Sequence, residues 1–274
     1  MARRVVLVLA DGLRPDAVTP VLMPSLYRLG RDHTRARVAR TVQPSVTVAA
    51  LASLATGVGP RTHRLTEPGL GFLPVLPRLR PVAQELHRGG IETAVVCADM
   101  DTTGRSVTWA LATAAGVGKL VVAGQSAHET VEAARERLEG RNPGLTVVYL
   151  PDCDRAGHAS GWMSPAYLAA ATRLDAAVGA LAALAQDALV IVVSDHGGGG
   201  VRANDHHEPH PLNERITLVL AGPEVRRWHA LQEDISLLDV PATVLWYFGL
   251  PVPASYEGRV LDHAFQPALS APAA

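Results

Sequence analysis

A cluster of potential metal ligands follows an apolar run in the last third of the chain. Residues 190–193 are β-branched and predict a buried parallel strand, which ends close to Asp195 and His196, before four glycines. Carboxylate and imidazole groups are common ligands of zinc and similar cations. Since neighbours on a strand point to opposite faces, the two can bind one ion only where the backbone leaves strand geometry, which the glycines permit. The segment therefore predicts either a metal site or a polar, glycine-rich loop, and three more histidines extend it: His206, His207 and His210.

Acidic residues and a histidine also follow two other predicted strands. Asp11 comes directly after residues 5–10, and Asp154 follows residues 145–150 closely. Asp154 and His158 are four positions apart, which on a helical turn places a carboxylate and an imidazole on the same side. Because ligands bind beyond the carboxyl ends of parallel strands, these groups can share one site. The alternative for Asp11 is a helix cap or a turn residue.

Two hydroxyl side chains precede a small-residue stretch, residues 48–57, that predicts a helix. A hydroxyl at this place is commonly an N-cap. The functional alternative is a nucleophile, because a helix N-terminus favours a bound anion and a metal stabilises an alkoxide. Thr47 is the first candidate for that role and Ser45 competes with it.

Length and composition predict one large α/β domain. The 274 residues are 48% hydrophobic with a formal net charge of -1, so no electrostatic argument favours a nucleic acid polymer or a membrane as partner. Cys97 and Cys153 give no disulfide framework, and residues 1–10 predict a first strand rather than a signal peptide, so we expect a cytoplasmic protein. Alternating strands and helices predict a three-layer α/β/α sandwich with a mainly parallel central sheet over residues 1–266, with 267–274 as a flexible tail. The oligomeric state stays open.

Further elements are predicted around these segments. Ser126 and Glu129 have the spacing of a capping box. Asp99 and Asp101 follow another predicted strand, but they are more typical of turn or capping residues. The other predicted elements are an edge-like strand at 37–42, strands at 91–98, 120–123 and 216–220, and helices at 24–29, 81–88, 106–115, 126–138, 165–185 and 237–248.

Five segments, in order along the chain, resemble the alkaline phosphatase superfamily, most nearly its nucleotide pyrophosphatase/phosphodiesterase branch. They are VLVLADGLRPDA, QPSVTVAALASLATGV, YLPDCDRAGHASGWMSPAYLAAATRLD, VIVVSDHGG and DVPATVLWYFGLPVPASYEGRVL. The resemblance implies a phosphoric ester hydrolase with two divalent metal ions, zinc by preference and manganese as the alternative. It further implies a small phosphate-ester or nucleotide-like substrate.

The resemblance also implies a role for each candidate residue. The implied ligands of one metal are Asp154, His158 and a late histidine, and those of the other are Asp11, Asp195 and His196. Thr47 would coordinate the second metal and attack phosphorus, giving a phospho-threonine that water hydrolyses. His207 is the expected late histidine from its spacing to the segment NERITLVLAGP, with His210 second and His206 third.

One departure from the branch concerns the contact to a phosphate oxygen. An asparagine is common three residues after the nucleophile, but this chain has Ala50, so that contact is missing or supplied elsewhere. The alternatives to a phosphodiesterase are a phosphomonoesterase or phosphonate hydrolase on the same site, or a metal-binding protein without catalysis.

Four aromatic residues are candidate surfaces on which a substrate could stack. They are Phe72, Trp109, Trp162 and Tyr256.

Overall fold

A central sheet of eight strands organises the computed structural model, which describes residues 3–67, 74–98, 112–113 and 115–267. The strands are β1 Arg4–Ala10, β2 Thr34–Arg40, β3 Thr93–Cys97, β4 Lys119–Val122, β5 Gly144–Leu150, β6 Leu189–Val193, β7 Leu218–Ala221 and β8 His229–Ser236. Their order is β4-β3-β5-β1-β6-β7-β2-β8. β7 is antiparallel to both neighbours and the other pairs are parallel, so the predicted mainly parallel sheet is confirmed.

Helices cover both faces of this sheet. They are α1 Pro24–Asp32, α2 Thr47–Thr56, α3 Pro60–His63, α4 Val82–Arg88, α5 Ala127–Glu139, α6 Asp152–Ser160, α7 Pro165–Leu184, α8 Pro211–Glu214 and α9 Asp239–Tyr247, with 3₁₀ turns at Pro15–Ala17, Leu76–Arg78 and Asp262–Ala264. Alternate side chains of β1 enter two separate cores, because successive residues of a strand point to opposite faces. Val5 and Leu7 belong to the core that contains side chains of α2, α4 and α9. Val6 and Val8 belong to the core with α1, α5 and α7, which confirms the three-layer α/β/α sandwich.

Helix α7 is long and apolar enough to cross a membrane by length and composition alone. Its side chains Tyr167, Leu174 and Leu181 are fully buried, however, in the core against the sheet. The face of α7 that carries these side chains is therefore packed within this fold.

The structure differs from the sequence prediction at the β2 side of the sheet. The strand predicted at 37–42 begins at Thr34, and it is not an edge, because it pairs with both β7 and β8. β8 was not predicted; it covers β2 and forms the edge itself. The capping box of α5 is confirmed: Ser126 Oγ accepts from Glu129 N at 3.3 Å, and Glu129 Oε2 accepts from Ser126 N at 2.9 Å.

Some predictions fall outside the described residues. These are the turn roles of Asp99 and Asp101, most of the helix at 106–115, and residues 268–274 of the predicted tail.

The three central strands end at the same level of the sheet. Ala10 of β1 pairs with Leu150 of β5, and Leu9 pairs with Val193 of β6. The residues that follow β1, β5 and β6 therefore leave the sheet side by side, at the edge where ligands bind in open α/β sheets.

Candidate metal centre

Asp11 and Asp195 each have one carboxylate oxygen fixed and one oxygen free. Asp195 Oδ1 accepts hydrogen bonds from the backbone N–H of Gly12 at 3.1 Å and of His196 at 2.9 Å. Asp11 Oδ2 accepts from the phenol of Tyr149. Asp11 Oδ1 and Asp195 Oδ2 are buried and have no hydrogen-bond partner among the described residues. These two free oxygens lie 3.3 and 3.4 Å from His196 Nε2, so all three atoms face one point.

Gly12 forms the tight turn that brings the third carboxylate to this point. Its φ is +66°, and a Cβ on it would lie 2.8 Å from the Cα of Asp154, so a side chain at this position would be both strained and obstructed. The backbone carbonyl of Gly12 accepts from Trp162 Nε1 at 2.9 Å and from the Tyr167 hydroxyl at 3.0 Å. Glycine at residue 12 therefore allows the first turn of α6 to lie directly against the end of β1.

Asp154 and His158 lie on α6, which contains the helical turn predicted from their spacing. Asp154 Oδ1 is buried without a hydrogen-bond partner in the described part of the chain, and it lies 3.4 Å from His158 Nε2 and 3.9 Å from His196 Nε2. The neighbouring Asp154 carboxylate raises the pKa of His158. Asp154 thus lies between His158 of α6 and the three residues that follow β1 and β6, namely Asp11, Asp195 and His196.

The late histidine of this cluster is His206. Its side chain is buried, and its Nε2 lies 3.7 Å from Asp154 Oδ1 and 3.2 Å from His158 Nε2. Burial, together with the neighbouring His196, lowers the pKa of His206 to about 4. The ring is therefore neutral at pH 7, which is the form of imidazole that binds a metal.

The sequence analysis expected His207 as the late histidine of the cluster, whereas the structure places His206 there. Asp205 Oδ1 accepts from the backbone N–H of both His206 and His207, which fixes the turn between them. The two rings stack with their centroids 4.8 Å apart, but only the His206 ring is buried. The His207 side chain is 64% exposed and its Nδ1 hydrogen-bonds Asp205. His210, the second choice, is the N-cap of α8, and its Nδ1 accepts from Leu212 N at 3.1 Å.

The three clustered imidazoles are oriented in the same way. Each Nδ1 lies against a backbone carbonyl oxygen: Gly197 at 2.8 Å for His196, Ser45 at 2.7 Å for His206 and Asn204 at 3.1 Å for His158. A carbonyl can only accept, so Nδ1 carries the proton and each Nε2 presents a lone pair to the centre. Such partners on the second ring nitrogen are usual for metal-binding histidines.

Thr47 and Ser45, the two candidate nucleophiles, have different surroundings. Thr47 Oγ1 lies 3.0 Å from His196 Nε2, at the centre of the cluster. Ser45 is fully buried, and its hydroxyl donates to the carbonyl oxygen of His206 at 2.8 Å. Together with the hydrogen bond from His206 Nδ1 to the Ser45 carbonyl, this contact fixes the loop that carries His206 to the segment before α2. Of the two hydroxyls, Thr47 therefore faces the cluster, whereas Ser45 holds His206 in position.

The arrangement concentrates negative charge in a buried place. Burial raises the pKa of Asp11 well above its ordinary value, and the charges of Asp195 and Asp154 raise it further. Burial likewise raises the pKa of the Tyr149 phenol, which therefore remains a hydrogen-bond donor. Three carboxylate oxygens without partners and three Nε2 lone pairs would repel one another without positive charge between them. The donor set thus fits divalent cations, and two overlapping groups of ligand atoms lie within 4.8 Å of each other: Asp11, Asp195 and His196, and Asp154, His196 and His206.

The candidate stacking residues that the structure describes are used in packing. Trp162 is 6% exposed, and its indole N–H donates to Gly12 within the fold. Tyr256 is 9% exposed and donates to the carbonyl of Arg80 at 2.8 Å. The prediction that these two rings form a substrate surface is therefore wrong, and Phe72 and Trp109 lie outside the described residues.

The sequence analysis did not predict Tyr149 as a residue of this centre, because nothing in the sequence distinguishes it from other residues of an apolar strand.

Comparison with solved structures identifies the class of fold. A phosphonate monoester hydrolase from Silicibacter pomeroyi has a TM-score of 0.74 at 16% sequence identity, covering 94% of this chain and 76% of that one. Murine ectonucleotide pyrophosphatase/phosphodiesterase 5, in an inactive form in complex with AMP, has a TM-score of 0.73 at 14% identity, covering 96% of this chain and 100% of that one. The fold is that of the alkaline phosphatase superfamily.

Sequence comparison then identifies the family. The model of the type I phosphodiesterase / nucleotide pyrophosphatase family matches residues 5–69 and 92–236, and the chain belongs to that family. A curated relative, a 2,3-bisphosphoglycerate-independent phosphoglycerate mutase of Bacteroides thetaiotaomicron, is 30% identical over 141 residues. That alignment covers 50% of this chain and 27% of the mutase, so the chain spans only about a quarter of that relative's length.

Proposed function

We propose that this protein is a binuclear metal-dependent hydrolase of phosphate diesters, and that it acts through a phospho-threonine formed on Thr47. One observation carries the proposal. The Thr47 hydroxyl lies 3.0 Å from His196 Nε2, in a buried cluster of three partnerless carboxylate oxygens and three Nε2 lone pairs. This combination of a hydroxyl with carboxylate and imidazole donors suits two-metal phosphoryl transfer.

The residues divide into two ligand sets. Asp154, His158 and His206 would hold one ion, and Asp11, Asp195, His196 and Thr47 would hold the other. The mixture of nitrogen and oxygen donors favours zinc, with manganese as the alternative. When bound, the two ions would stabilise the charge of the phosphoryl group and favour the deprotonated Thr47 hydroxyl.

The reaction of Thr47 proceeds in two displacements. Its Oγ1 attacks phosphorus, an Oγ1–P bond forms, and the bond to the ester oxygen breaks, so that the alcohol leaves with the bonding electrons and takes up a proton. Water then attacks the phosphorus of phospho-Thr47, the Oγ1–P bond breaks, and the threonine hydroxyl regains a proton. Inorganic phosphate or a phosphate monoester is released, depending on the substrate.

Helix α2 offers a replacement for the asparagine that is absent at residue 50. Ala50 is fully buried in the core, and its N–H closes the first turn of α2 on Val46. The N–H groups of Thr47 and Val48 precede that bond and have no acceptor among the described residues. They would donate to a phosphoryl oxygen, with the helix dipole adding to the stabilisation.

The substrate we propose is a small phosphate diester or nucleotide-like compound. The family match supports diester or pyrophosphate cleavage, and the murine relative was solved with AMP. The second candidate is a monoester of phosphate or phosphonate, which the fold shared with a phosphonate monoester hydrolase favours.

Hydrolysis of model esters tests this function. Bis-p-nitrophenyl phosphate, p-nitrophenyl phosphate and p-nitrophenyl phenylphosphonate would be compared with zinc, with manganese and with EDTA. We expect metal-dependent cleavage of the diester that Thr47→Ala abolishes and Thr47→Ser partly restores. Thr56→Ala, which removes a hydroxyl from the far end of the same helix, should retain activity.

Trapping of the intermediate tests the role of Thr47 separately. Acid quenching during turnover of the diester, followed by mass spectrometry, should find one added phosphoryl group, still bearing its second nitrophenyl ester, on the peptide that contains Thr47. Full activity of Thr47→Ala would refute the nucleophile, and a strong preference for the monoester or the phosphonate would replace the diester proposal with the second candidate.

A further inference from the structure

A pocket lined by arginines lies at the other end of α2 from Thr47. Its volume is about 230 Å³, and its polar lining consists of Arg61, Thr62, Arg64, Arg78, Arg80 and Ser255. α2 has ten residues, so the pocket lies beyond a helix about 15 Å long that begins at Thr47. It is therefore separate from the candidate metal centre.

The backbone that carries two of these arginines is held by a buried histidine. His63 is fully buried, its Nδ1 accepts from Leu65 N at 2.9 Å, and its Nε2 lies 3.0 Å from Ser53 Oγ on α2. Between them, Arg64 has a φ of +60° and its N–H bonds the Pro60 carbonyl at 2.9 Å. α3 and Arg64 are thus fixed to the end of α2.

The opposite wall is held in a similar way. The Arg80 carbonyl accepts from the buried Tyr256 at 2.8 Å, and its guanidinium makes two bonds to Glu85, at 3.0 and 2.6 Å. Glu85 also pairs with Arg88. Arg80 is therefore used as structural support, and its charge is largely offset by Glu85.

Three guanidinium groups remain unpaired around the pocket. Arg61, Arg64 and Arg78 have no carboxylate within ion-pair distance in the described part of the chain, and no acidic residue lines the pocket. The acid that contacts α3, Glu257, accepts a hydrogen bond from Thr62 at 2.6 Å. Three positive charges around one concavity are unfavourable without a counter-ion, in a chain whose formal net charge is only -1.

The geometry points to a second, metal-independent binding site in this pocket for a compound that bears two adjacent phosphate groups. Guanidinium groups bind phosphate oxygens through paired, charge-assisted hydrogen bonds, and several arginines can share one pyrophosphate. A volume of about 230 Å³ is below that of pockets which enclose a whole drug-sized ligand, so the phosphate groups fit inside and any attached nucleoside stays outside.

Calorimetric titration of the 274-residue chain with sodium pyrophosphate in EDTA tests this site. Chelation removes metal-dependent binding at Thr47, and the metal-free carboxylate cluster repels anions. We expect one pyrophosphate per chain, with binding that weakens as salt is raised. Arg61→Gln and Arg78→Gln should each weaken it roughly tenfold, the effect of losing one charge-assisted contact. Arg28→Gln is the matched control and should bind as the wild type does, because Arg28 is an exposed arginine on α1 that bonds the Pro24 carbonyl and pairs with no carboxylate among the described residues.

The same titrations contain the results that would overturn the site. Absence of binding by the wild type, equal binding by an Arg61→Gln/Arg78→Gln double variant, or an equal loss in Arg28→Gln would each refute it. Titration with ADP separates the two sources of the ligand: binding equal to that of pyrophosphate indicates the phosphate chain of a nucleotide, and weaker binding indicates free pyrophosphate. No turnover is measured, so failure here is independent of the proposed hydrolase activity.

Discussion

Replacing His206 with alanine should remove one metal ion, whereas the same change at His207 should not. The His206 side chain is 4% exposed and its Nε2 lies 3.7 Å from Asp154 Oδ1, whereas the His207 side chain is 64% exposed and bonded to Asp205. Loss of a residue that only supports a ligand lowers metal affinity by roughly 10- to 100-fold, so loss of a direct ligand should cost more than about 100-fold. The variant at residue 207 should stay within a few-fold of wild type.

Metal counting and chelator competition measure both effects. Each variant would be loaded with zinc, dialysed and analysed by elemental mass spectrometry, and affinities would come from titration against a coloured chelator. His158→Ala provides a second test of the same ion, because its side chain is 42% exposed and its loss should leave the core intact. Two tightly bound ions in His206→Ala, or the loss of one ion in His207→Ala, would refute the assignment of the late ligand.

Three further substitutions and metal removal extend the test of the site. Ser45→Ala should lower metal affinity roughly 10- to 100-fold, because the hydrogen bond that holds His206 is lost. Excess zinc should nevertheless restore hydrolysis, and that result would exclude Ser45 as the nucleophile. Gly12→Ala should lower the free energy of unfolding by about 2 kcal/mol or more, measured by denaturant titration, because its positive φ and the close Asp154 Cα oppose a side chain. Tyr149→Phe frees Asp11 Oδ2 and should weaken metal binding without unfolding the protein, as measured by chelator competition and circular dichroism. EDTA should lower the Tm, since metal at 100 times its Kd stabilises by about 2.7 kcal/mol, and an unchanged Tm would argue against bound metal.

The three-layer fold could be predicted because its central strands are continuous apolar runs. Residues 5–10 and 190–193 are buried on both faces, whereas 145–150 are buried on one face and half-buried at Val147 and Tyr149 on the other. A parallel sheet between two helix layers favours such apolar strands. Each of these strands is followed closely by a carboxylate. The approximate place of the site could therefore be predicted from the sequence, on the assumption that these strands are neighbours in the sheet.

The far side of the sheet could not be predicted in the same way. β8 has the sequence HALQEDIS, in which Leu231 and Ile235 are buried and charged residues lie between them. Its pairing with β2 shifts register between Ala36 and Val38, so a simple alternation is interrupted. An irregular, half-exposed edge strand has neither the apolar run nor the period of two by which strands are recognised. β2 was consequently placed at the edge that β8 occupies.

The choice among the late histidines depends on contacts that residue types do not reveal. The Nδ1 atoms of the three clustered imidazoles all meet backbone carbonyls, which every residue possesses, so no side-chain motif marks the correct ring. Spacing was equally uninformative, because His206 and His207 are neighbours and only the turn held by Asp205 decides which side chain faces inward. The place of the carboxylates in the cluster could be predicted because each closely follows a strand of regular geometry. The late histidine lies instead on an irregular loop, where its direction is set by two contacts with Ser45, a residue 161 positions away in the sequence.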